Sequence, residues 1–237
     1  KSQYPVGADG AIGFYRARSH QVVPVKRCLI QPEAADKTAA AVGEWMRRYK
    51  VPAYDEATGK GLVRHVYVRV NRKGESLCCV VINGRQAPRE PELAAYVCAA
   101  VPHTAGVLVN SNTKRGNVIL GEKYRTLWGR DYLMDTLCGL EFKLSVPSFY
   151  QVNRDQAEAL YGKALDYAGL TGRETVLDLY CGIGTITLCL AKRAGRVIGA
   201  EIVPAAIRDA KENAARNHIE NAEFFCGDAA ETAARLE

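Results

Sequence analysis

Long apolar runs, signal-like segments and internal repeats are all missing from this sequence of 237 residues. No stretch approaches the roughly eighteen apolar residues of a membrane-spanning helix, and Lys1 to Asp9 lack the apolar core of a signal peptide. We therefore expect no membrane partner, and the absence of targeting segments makes the cytoplasm the expected location.

Paired metal-ligand spacings are missing as well. The 8 cysteines form no C-x-x-C pair, and the 4 histidines are scattered along the chain. Several cysteines lie in apolar runs such as Leu77 to Val81, which is typical of reduced, buried thiols. This usage argues against a disulfide framework and against a self-contained zinc site.

Positively charged residues outnumber negatively charged ones only slightly. The formal net charge of +6 suits a polyanionic partner, because Lys and Arg that neutralise phosphates release counterions. Many soluble proteins are equally basic, so charge alone leaves binding of nucleic acid open.

The first part of the chain, residues 1–147, predicts an α+β domain. Its helical spacings cover Ala34 to Tyr49 and Glu92 to Ala100, and a hairpin is predicted from Leu62–Val70 and Leu77–Ile82 around a turn. A second strand pair is predicted from Gly106–Asn110 and Asn117–Leu120.

The second part, residues 148–237, alternates helix and strand. Asn153 can cap a helix that runs to about Ala168. The strands that follow, separated by helices, are predicted at Thr175–Leu179, Arg196–Glu201 and Ala222–Cys226. Successive βαβ units indicate an α/β fold with a parallel sheet of Rossmann-like type. Such sheets have about six strands, so we interpret the chain as a fragment that contains part of the sheet.

The most informative stretch is a strand, a glycine turn and the start of a helix in residues 176–185. Ligands of open α/β sheets bind at this edge, beyond the carboxyl ends of the strands. Gly182 and Gly184 allow backbone conformations that are closed to other residues. Glu201 follows at the tip of the next strand, where its carboxylate can accept hydrogen bonds from both ribose hydroxyls of an adenosine.

Two cofactor classes share this arrangement. A nicotinamide dinucleotide expects G-x-G-x-x-G, but Thr187 occupies the third glycine position. Asp178, four residues before the first glycine, suits a cationic cofactor without phosphate, since it can hold the loop or face a positive charge. Asp228, at the third strand tip, is placed to meet an adenine amino group. This pattern favours S-adenosyl-L-methionine over a dinucleotide or an empty glycine turn.

Three segments resemble a known family, the RNA 5-methyluridine (uracil-C5) methyltransferases. They are Ser148-Phe149-Tyr150-Gln151-Val152-Asn153, Leu177-Asp178-Leu179-Tyr180-Cys181-Gly182-Ile183-Gly184 and Gly199-Ala200-Glu201. The first is the specific one, because generic methyltransferases lack S-F-x-Q-V-N. The resemblance extends over essentially the whole chain, including Val6 to Phe14 and the Ser111-Asn112 turn, and is closer to the ribosomal RNA branch than to the transfer RNA branch.

The resemblance implies that five residues contact S-adenosyl-L-methionine: Gln151, Tyr180, Thr185, Glu201 and Asp228. Plainer interpretations remain open, in which Gln151 caps the following helix and Tyr180 packs in the core. Cys181 could be a nucleophile, but its place in the cofactor turn favours a small buried hydrophobe.

The family's chemistry requires a thiolate that adds to uracil C6 and a base that removes the C5 proton, after the base has been splayed out of the RNA. The resemblance places that cysteine and that carboxylate downstream of Glu237, and it places an RNA-binding barrel before Lys1. We therefore expect no catalytic residue within this chain and no methylation by this chain alone.

Cys28 matches the fourth iron–sulfur ligand of cluster-bearing members of the family. Since a 4Fe-4S cluster takes four thiolates, the resemblance implies a cluster only in a longer protein. A buried structural cysteine is the alternative.

RNA, with ribosomal RNA favoured, is the expected partner. The candidate contacts are basic residues of the first part: Arg16, Arg18, Lys26, Arg27, Lys114, Arg115, Lys123 and Arg125. Two other functions stay open, a nicotinamide-dependent oxidoreductase and a non-catalytic RNA-binding module.

Overall fold

The structure, a computed structural model, describes residues 1–234 and forms two compact units that divide between Leu133 and Met134. The sequence predicted the division later, at 147 and 148. The difference arises because residues before Ser148 pack in the second unit, where Phe142 and Leu144 join its core. Residues 235–237, the last of the predicted second domain, lie outside the described residues.

The first unit is an α+β unit, as predicted. Its elements are β1 (Ser2–Pro5), β2 (Gly13–Tyr15), β3 (Val22–Pro24), α1 (Glu33–Tyr49), β4 (Val63–Val70), β5 (Ser76–Ile82), α2 (Glu90–Ala100), β6 (Thr104–Ser111) and β7 (Lys123–Gly129). The main sheet has the order β1-β4-β5-β6-β7, in which only β5 and β6 run parallel. The strands β2 and β3 form a separate antiparallel pair.

Apolar spacing explains how α1 packs. Val42, Trp45 and Met46 recur at intervals of three and one, lie on one face and are buried in the core of the unit. Acidic residues in the first turn and Arg47 and Arg48 in the last turn complement the helix dipole. The predicted helix and the predicted β4–β5 hairpin are confirmed.

The strand predicted at Asn117–Leu120 is wrong. Asn112 Nδ2 donates hydrogen bonds to the carbonyl oxygens of Val118 and Ile119 at 2.6 and 3.0 Å, so side chains satisfy this backbone instead of a neighbouring strand. The antiparallel partner of β6 is β7, further along the chain. Short polar side chains that bond to nearby backbone compete in this way with sheet formation.

The second unit has the alternating pattern that the sequence predicted. Its elements are β8 (Tyr132–Leu137), which begins at the end of the first unit, β9 (Leu140–Ser145), α3 (Arg154–Ala168), β10 (Thr175–Leu179), α4 (Thr185–Ala191), β11 (Arg196–Glu201), α5 (Pro204–Arg216), β12 (Ala222–Cys226) and α6 (Ala229–Ala234). The strands β10, β11 and β12 form a parallel sheet in that order. The β8–β9 hairpin was not predicted.

No helix within residues 1–234 is long and apolar enough to cross a membrane.

Candidate functional site

The carboxyl ends of the three parallel strands lie at one edge of the second unit's sheet. Leu179 of β10 pairs with Ala200 of β11, and Ala200 pairs with Phe225 of β12. The residues that follow each strand therefore emerge side by side. This register brings the glycine turn and the acid Glu201 together, as the sequence predicted.

Glu201 points toward the glycine turn. Its Oε2 accepts a hydrogen bond from the Gly182 backbone N–H at 3.2 Å, and its Oε1 accepts one from the Val203 N–H at 3.0 Å. Two backbone donors thus fix the carboxylate, and each oxygen keeps acceptor capacity for a further donor. A carboxylate held in this way can accept a pair of neighbouring hydroxyl groups.

In the turn after β10, every second residue from Tyr180 to Gly184 has a left-handed backbone conformation. Tyr180, Gly182 and Gly184 have φ values of 68°, 56° and 84°. Tyrosine carries a steric penalty there that glycine does not, and such strain is concentrated at functional sites. Tyr180 is also 77% exposed, so the interpretation of Tyr180 as a core residue is wrong.

Close packing behind the turn requires a glycine in β11. A Cβ on Gly199 would lie 2.8 Å from the Phe224 ring and 3.0 Å from Cys181 Sγ. Gly184 also faces Phe224, at 3.2 Å from a Cβ built on it. The Phe224 ring of β12 therefore packs against Gly199 of β11 and against Gly184 of the turn.

Asp178 holds the turn in place. Its Oδ2 accepts a hydrogen bond from the Thr187 hydroxyl of α4, and Thr187 is fully buried. Burial raises the pKa of Asp178, and the bond from Thr187 opposes that rise. Of the two roles predicted for Asp178, the structure shows the loop-holding one, and Thr187 is its partner where a dinucleotide site expects glycine.

Cys181 has the environment of a structural thiol. It is 5% exposed, and burial, followed by the nearby carboxylates of Asp178 and Glu201, raises its pKa to about 12. Since the thiolate is the nucleophilic form, this cysteine is unsuited to attack a substrate. The plainer interpretation from the sequence agrees with this geometry.

Thr185 and Gln151 lie near α3. The Thr185 hydroxyl is 3.1 Å from the Tyr161 hydroxyl of α3. Gln151 is half-buried just before α3, but the helix cap is Asn153, whose Oδ1 accepts from the Gln156 N–H at 3.3 Å. The cap predicted at Asn153 is confirmed, so the capping interpretation of Gln151 is not supported.

A polar stripe on α5 positions the segment that contains Gln151. Asn217 and Asn213 accept hydrogen bonds from the backbone N–H groups of Glu141 and Lys143 in β9, each at 2.8 Å. One turn further, Asp209 Oδ2 accepts from the Ser148 hydroxyl at 3.1 Å. These side chains recur every four residues, so one face of α5, continued by its C-cap Asn217, holds the hairpin and the start of the S-F-x-Q-V-N segment.

Asp228 is exposed beyond β12 and turns the chain into α6. Its Oδ1 accepts from the Ala230 N–H at 2.8 Å, and its carbonyl accepts from the Thr232 hydroxyl at 2.8 Å. The carboxylate stands at the predicted strand tip, and part of its hydrogen-bonding capacity goes to the backbone.

Within the described residues, Cys28 does not belong to a group of side chains that could ligate a cluster. Its backbone N–H donates to Asp36 Oδ2 at 2.9 Å, and its thiol is unpaired. No group of three His, Cys, Asp or Glu side chains within residues 1–234 could hold a metal ion. These residues alone do not fit a 4Fe-4S cluster, which takes four thiolates.

Sequence reasoning missed two contributors. Ile202 follows Glu201 and is 64% exposed, so it offers an apolar surface beside the carboxylate. A large apolar residue directly after the acid at a strand tip was the available signal. Asp209 was the other, and the four-residue spacing from Asp209 to Asn213 and from Asn213 to Asn217 could have revealed the stripe.

The second unit has the Rossmann-like fold of methyltransferase domains. A family profile described as "Methyltransferase domain" matches residues 170–236. The tRNA (uracil-54, C5)-methyltransferase of Pyrococcus abyssi, solved in complex with S-adenosyl-L-homocysteine, superimposes with a TM-score of 0.79 over 96% of this chain and 54% of that chain. At 23% identity this likeness shows the fold alone.

The sequence relatives of this chain are described as RNA methyltransferases. The chain is 44% identical over 97% of its length to an uncharacterized RNA methyltransferase of Halalkalibacterium halodurans, and 43% identical over 100% of its length to one of Caldanaerobacter subterraneus. It covers 51% and 53% of those proteins, so it spans about half the length of the curated relatives it matches. These similarities relate the chain to proteins described as RNA methyltransferases.

Proposed function

We propose that this chain contributes the cofactor site of an enzyme that transfers a methyl group from S-adenosyl-L-methionine to uracil C5 in RNA. The observation that carries the proposal is the Glu201 carboxylate, fixed by the Gly182 and Val203 N–H groups beside a left-handed turn. An acidic strand tip suits the ribose of an adenosine cofactor, and Thr187 at the third glycine position favours S-adenosyl-L-methionine over a dinucleotide.

Each residue at the edge has a role in binding the cofactor, which supplies the electrophilic methyl group. Glu201 accepts the ribose hydroxyls, and the exposed side chain of Ile202 lies against the adenine. Asp228 meets the adenine amino group. The left-handed turn at Tyr180, Gly182 and Gly184 brings the backbone close to the methionine part of the cofactor. Asp178 fixes that turn to α4 through its hydrogen bond from Thr187.

Thr185 and Gln151 complete the proposed site on the side of α3. Thr185 is anchored by Tyr161, and Gln151 belongs to the segment that Asp209 holds through Ser148. Both side chains are polar and uncharged, which suits contacts to the methionine carboxylate or to the substrate base.

Uracil C5 as the target rests on the S-F-x-Q-V-N segment and on the name of the structural relative from Pyrococcus abyssi. The base becomes nucleophilic at C5 when a thiolate adds to C6. Cys181 is unsuited to that step because of its raised pKa. We expect this chain alone to bind the cofactor without methylating RNA. Ribosomal RNA is the substrate we favour.

The basic residues predicted to contact RNA differ in their surroundings. Arg125 is engaged by both carboxylate oxygens of the buried Glu90, and Lys114 pairs with Glu122 at 2.8 Å. Arg16, Arg18, Lys26 and Arg27 are exposed on and around the β2–β3 pair. We place the RNA contact of the first unit on this second group.

Calorimetry with S-adenosylhomocysteine tests the proposal. We expect binding by the wild-type chain and a loss of about 2 kcal/mol in Glu201→Ala, because a hydrogen bond to a charged group contributes about 1.5–3 kcal/mol. Glu220→Ala is the matched control, since Glu220 is an exposed carboxylate before the opposite end of β12. Equal affinities of the two variants, or binding of NADH instead, would contradict the assignment.

A further inference from the structure

The first unit contains a small cavity that the proposed methyl transfer does not use. It has a volume of about 220 Å³, below the roughly 300–1,000 Å³ of pockets for drug-sized ligands. Its lining includes the aromatic and polar side chains of Tyr15, His20, Tyr54, Glu56, Arg64 and His65. A cavity of this size and lining suits a single planar ring.

A local irregularity of β4 brings two polar side chains to this cavity. The register of β4 on β5 shifts between Val63 and His65, because Val63 pairs with Ile82 and His65 with the next residue, Val81. Arg64 is the extra residue, as in a β-bulge. Bulges re-aim side chains and are over-represented next to functional sites.

Both side chains keep a buried nitrogen atom without a partner among the described residues. These atoms are Arg64 Nε and His65 Nδ1, and the two residues are 4% and 6% exposed. Buried polar atoms nearly always have hydrogen-bond partners in native proteins. Arg64 and His65 both line the cavity, so a ligand bound there can supply the complementary groups.

The rest of Arg64 is firmly held. Its Nη1 donates to the carbonyl oxygens of Asn112 and Lys114 at 2.8 and 2.7 Å, and its guanidinium lies 4.6 Å from the centroid of the Tyr54 ring. The side chain is consequently fixed before any ligand arrives. A preorganised donor of this kind recognises a ligand at a low cost in conformational entropy.

Charge at the cavity argues for a neutral ring rather than a phosphate inside it. Glu56 lines the cavity together with Asp55, and its carboxylate bonds His20 Nδ1 at 2.5 Å. Burial lowers the pKa of His65 to about 4, so its imidazole is neutral and can donate from one nitrogen and accept at the other. The Tyr15 and His20 rings lie 5.1 Å apart at the mouth.

We propose that this cavity binds one unstacked nucleobase of the RNA, through stacking on the tyrosine rings and hydrogen bonds to Arg64 and His65. The inference rests on the proposed function in that RNA is the substrate. Sequence-specific recognition of RNA uses splayed bases that stack on aromatic rings and bond along their edges. Arg16 and Arg18, exposed in the turn between β2 and β3, face the adjoining phosphates.

Fluorescence anisotropy with labelled single-stranded oligouridylate, oligoadenylate and oligocytidylate tests this assignment on the full chain. We expect at least one of these RNAs to bind, and Tyr15→Ala to weaken it roughly tenfold, since stacking of one base on an aromatic ring accounts for such a change. Tyr96→Ala is the matched control, because Tyr96 is a half-buried tyrosine on α2 outside the cavity.

A second measurement does not depend on a substitution. The ¹⁵N resonances of the His65 imidazole should shift when an oligonucleotide that binds in the anisotropy measurement is added to the wild-type chain. The proposal is overturned if none of the RNAs binds, if His65 does not respond at saturation, or if Tyr15→Ala and Tyr96→Ala bind equally. Calorimetry with S-adenosylhomocysteine distinguishes failure of the nucleobase proposal from failure of the methyltransferase proposal. If the cofactor still binds in any of these cases, the methyltransferase proposal stands. If the wild-type chain does not bind the cofactor, that proposal fails too.

Discussion

The strands β5 and β10 are both short and apolar, but they lie in different surroundings. Every residue of β5 is buried, whereas β10 alternates between half-buried and exposed residues, with Leu177 and Leu179 each 38% exposed. β5 pairs on both sides, with β4 and β6, and β10 pairs with β11 alone in its sheet. Apolar composition thus identifies a strand, while the number of neighbours decides how deeply it is buried.

The two units also use polar groups differently. In the first unit, the carboxylate of Glu90 is paired with Arg125, which satisfies a buried charge. In the second unit, the Glu201 carboxylate is held by backbone N–H groups at an open edge and can accept more. Groups that stabilise a core are saturated by their neighbours, and groups that bind a ligand are oriented but not saturated.

The largest expected effect on the free energy of unfolding distinguishes Trp45→Ala from Tyr180→Ala. Trp45 is fully buried and its Nε1 donates to the Arg89 carbonyl at 3.1 Å, so its truncation should lower the free energy of unfolding by about 3–5 kcal/mol. Tyr180→Ala should change stability by less than about 0.5 kcal/mol and weaken binding of S-adenosylhomocysteine. Urea unfolding and calorimetry measure the two effects, and a large loss of stability in Tyr180→Ala would break the contrast.

Acid should act through His65 of the first unit and Asp178 of the second with opposite signs. Burial and the neighbouring Arg64 lower the pKa of His65 to about 4, so protons bind the unfolded chain more tightly. Stability from His65 is present above the unfolded value of about 6.5 and is lost as the pH falls toward 4, by about 3 kcal/mol. The pKa of Asp178 is raised instead, so its contribution is larger in acid and declines as the pH rises above its unfolded value.

Urea unfolding between pH 4 and pH 7 measures this dependence, with His65→Gln as the variant. The variant should flatten the profile of the first unit and leave that of the second unit unchanged. A profile that is as steep in His65→Gln as in the wild type would show that other groups cause it.

How much the sequence predicted also differs between the units. The strands β10, β11 and β12 agree with the prediction to the residue, because each is a short apolar run bounded by turn residues. In the first unit Asn117–Leu120 was mistaken for a strand, since its apolar residues fit a strand while the Asn112 side chain bonds the nearby backbone instead.

The candidate site was predictable to the same degree. The glycine turn and the acids at the strand tips follow from spacing alone. The left-handed backbone of Tyr180, the bond from Thr187 to Asp178 and the stripe on α5 depend on the path of the chain, and no local propensity reports them.

Gly199→Ala should have an intermediate effect, of about 1–3 kcal/mol in the free energy of unfolding, because the added methyl group overpacks a close contact between β11 and the Phe224 ring. The displaced ring also supports Gly184, so cofactor affinity should fall in parallel. Gly162→Ala is the control: it lies in α3 with no atom within 4 Å of the new Cβ, and alanine should stabilise that helix by about 0.5–1 kcal/mol. Equal effects at the two positions would show that the turn is not closely packed.

The smallest expected effect is at the cap of α3. Asn153→Ala removes the acceptor of the Gln156 N–H and should lower the free energy of unfolding by about 1 kcal/mol, while Asn153→Asp should retain the cap, since the two residues cap helices equally well. Gln151 lies two residues before this cap. If the segment that Asp209 holds at Ser148 is also fixed at Asn153, then the alanine variant should weaken S-adenosylhomocysteine binding and the aspartate variant should not. Loss of stability without loss of affinity in Asn153→Ala would show that Asp209 alone positions the segment.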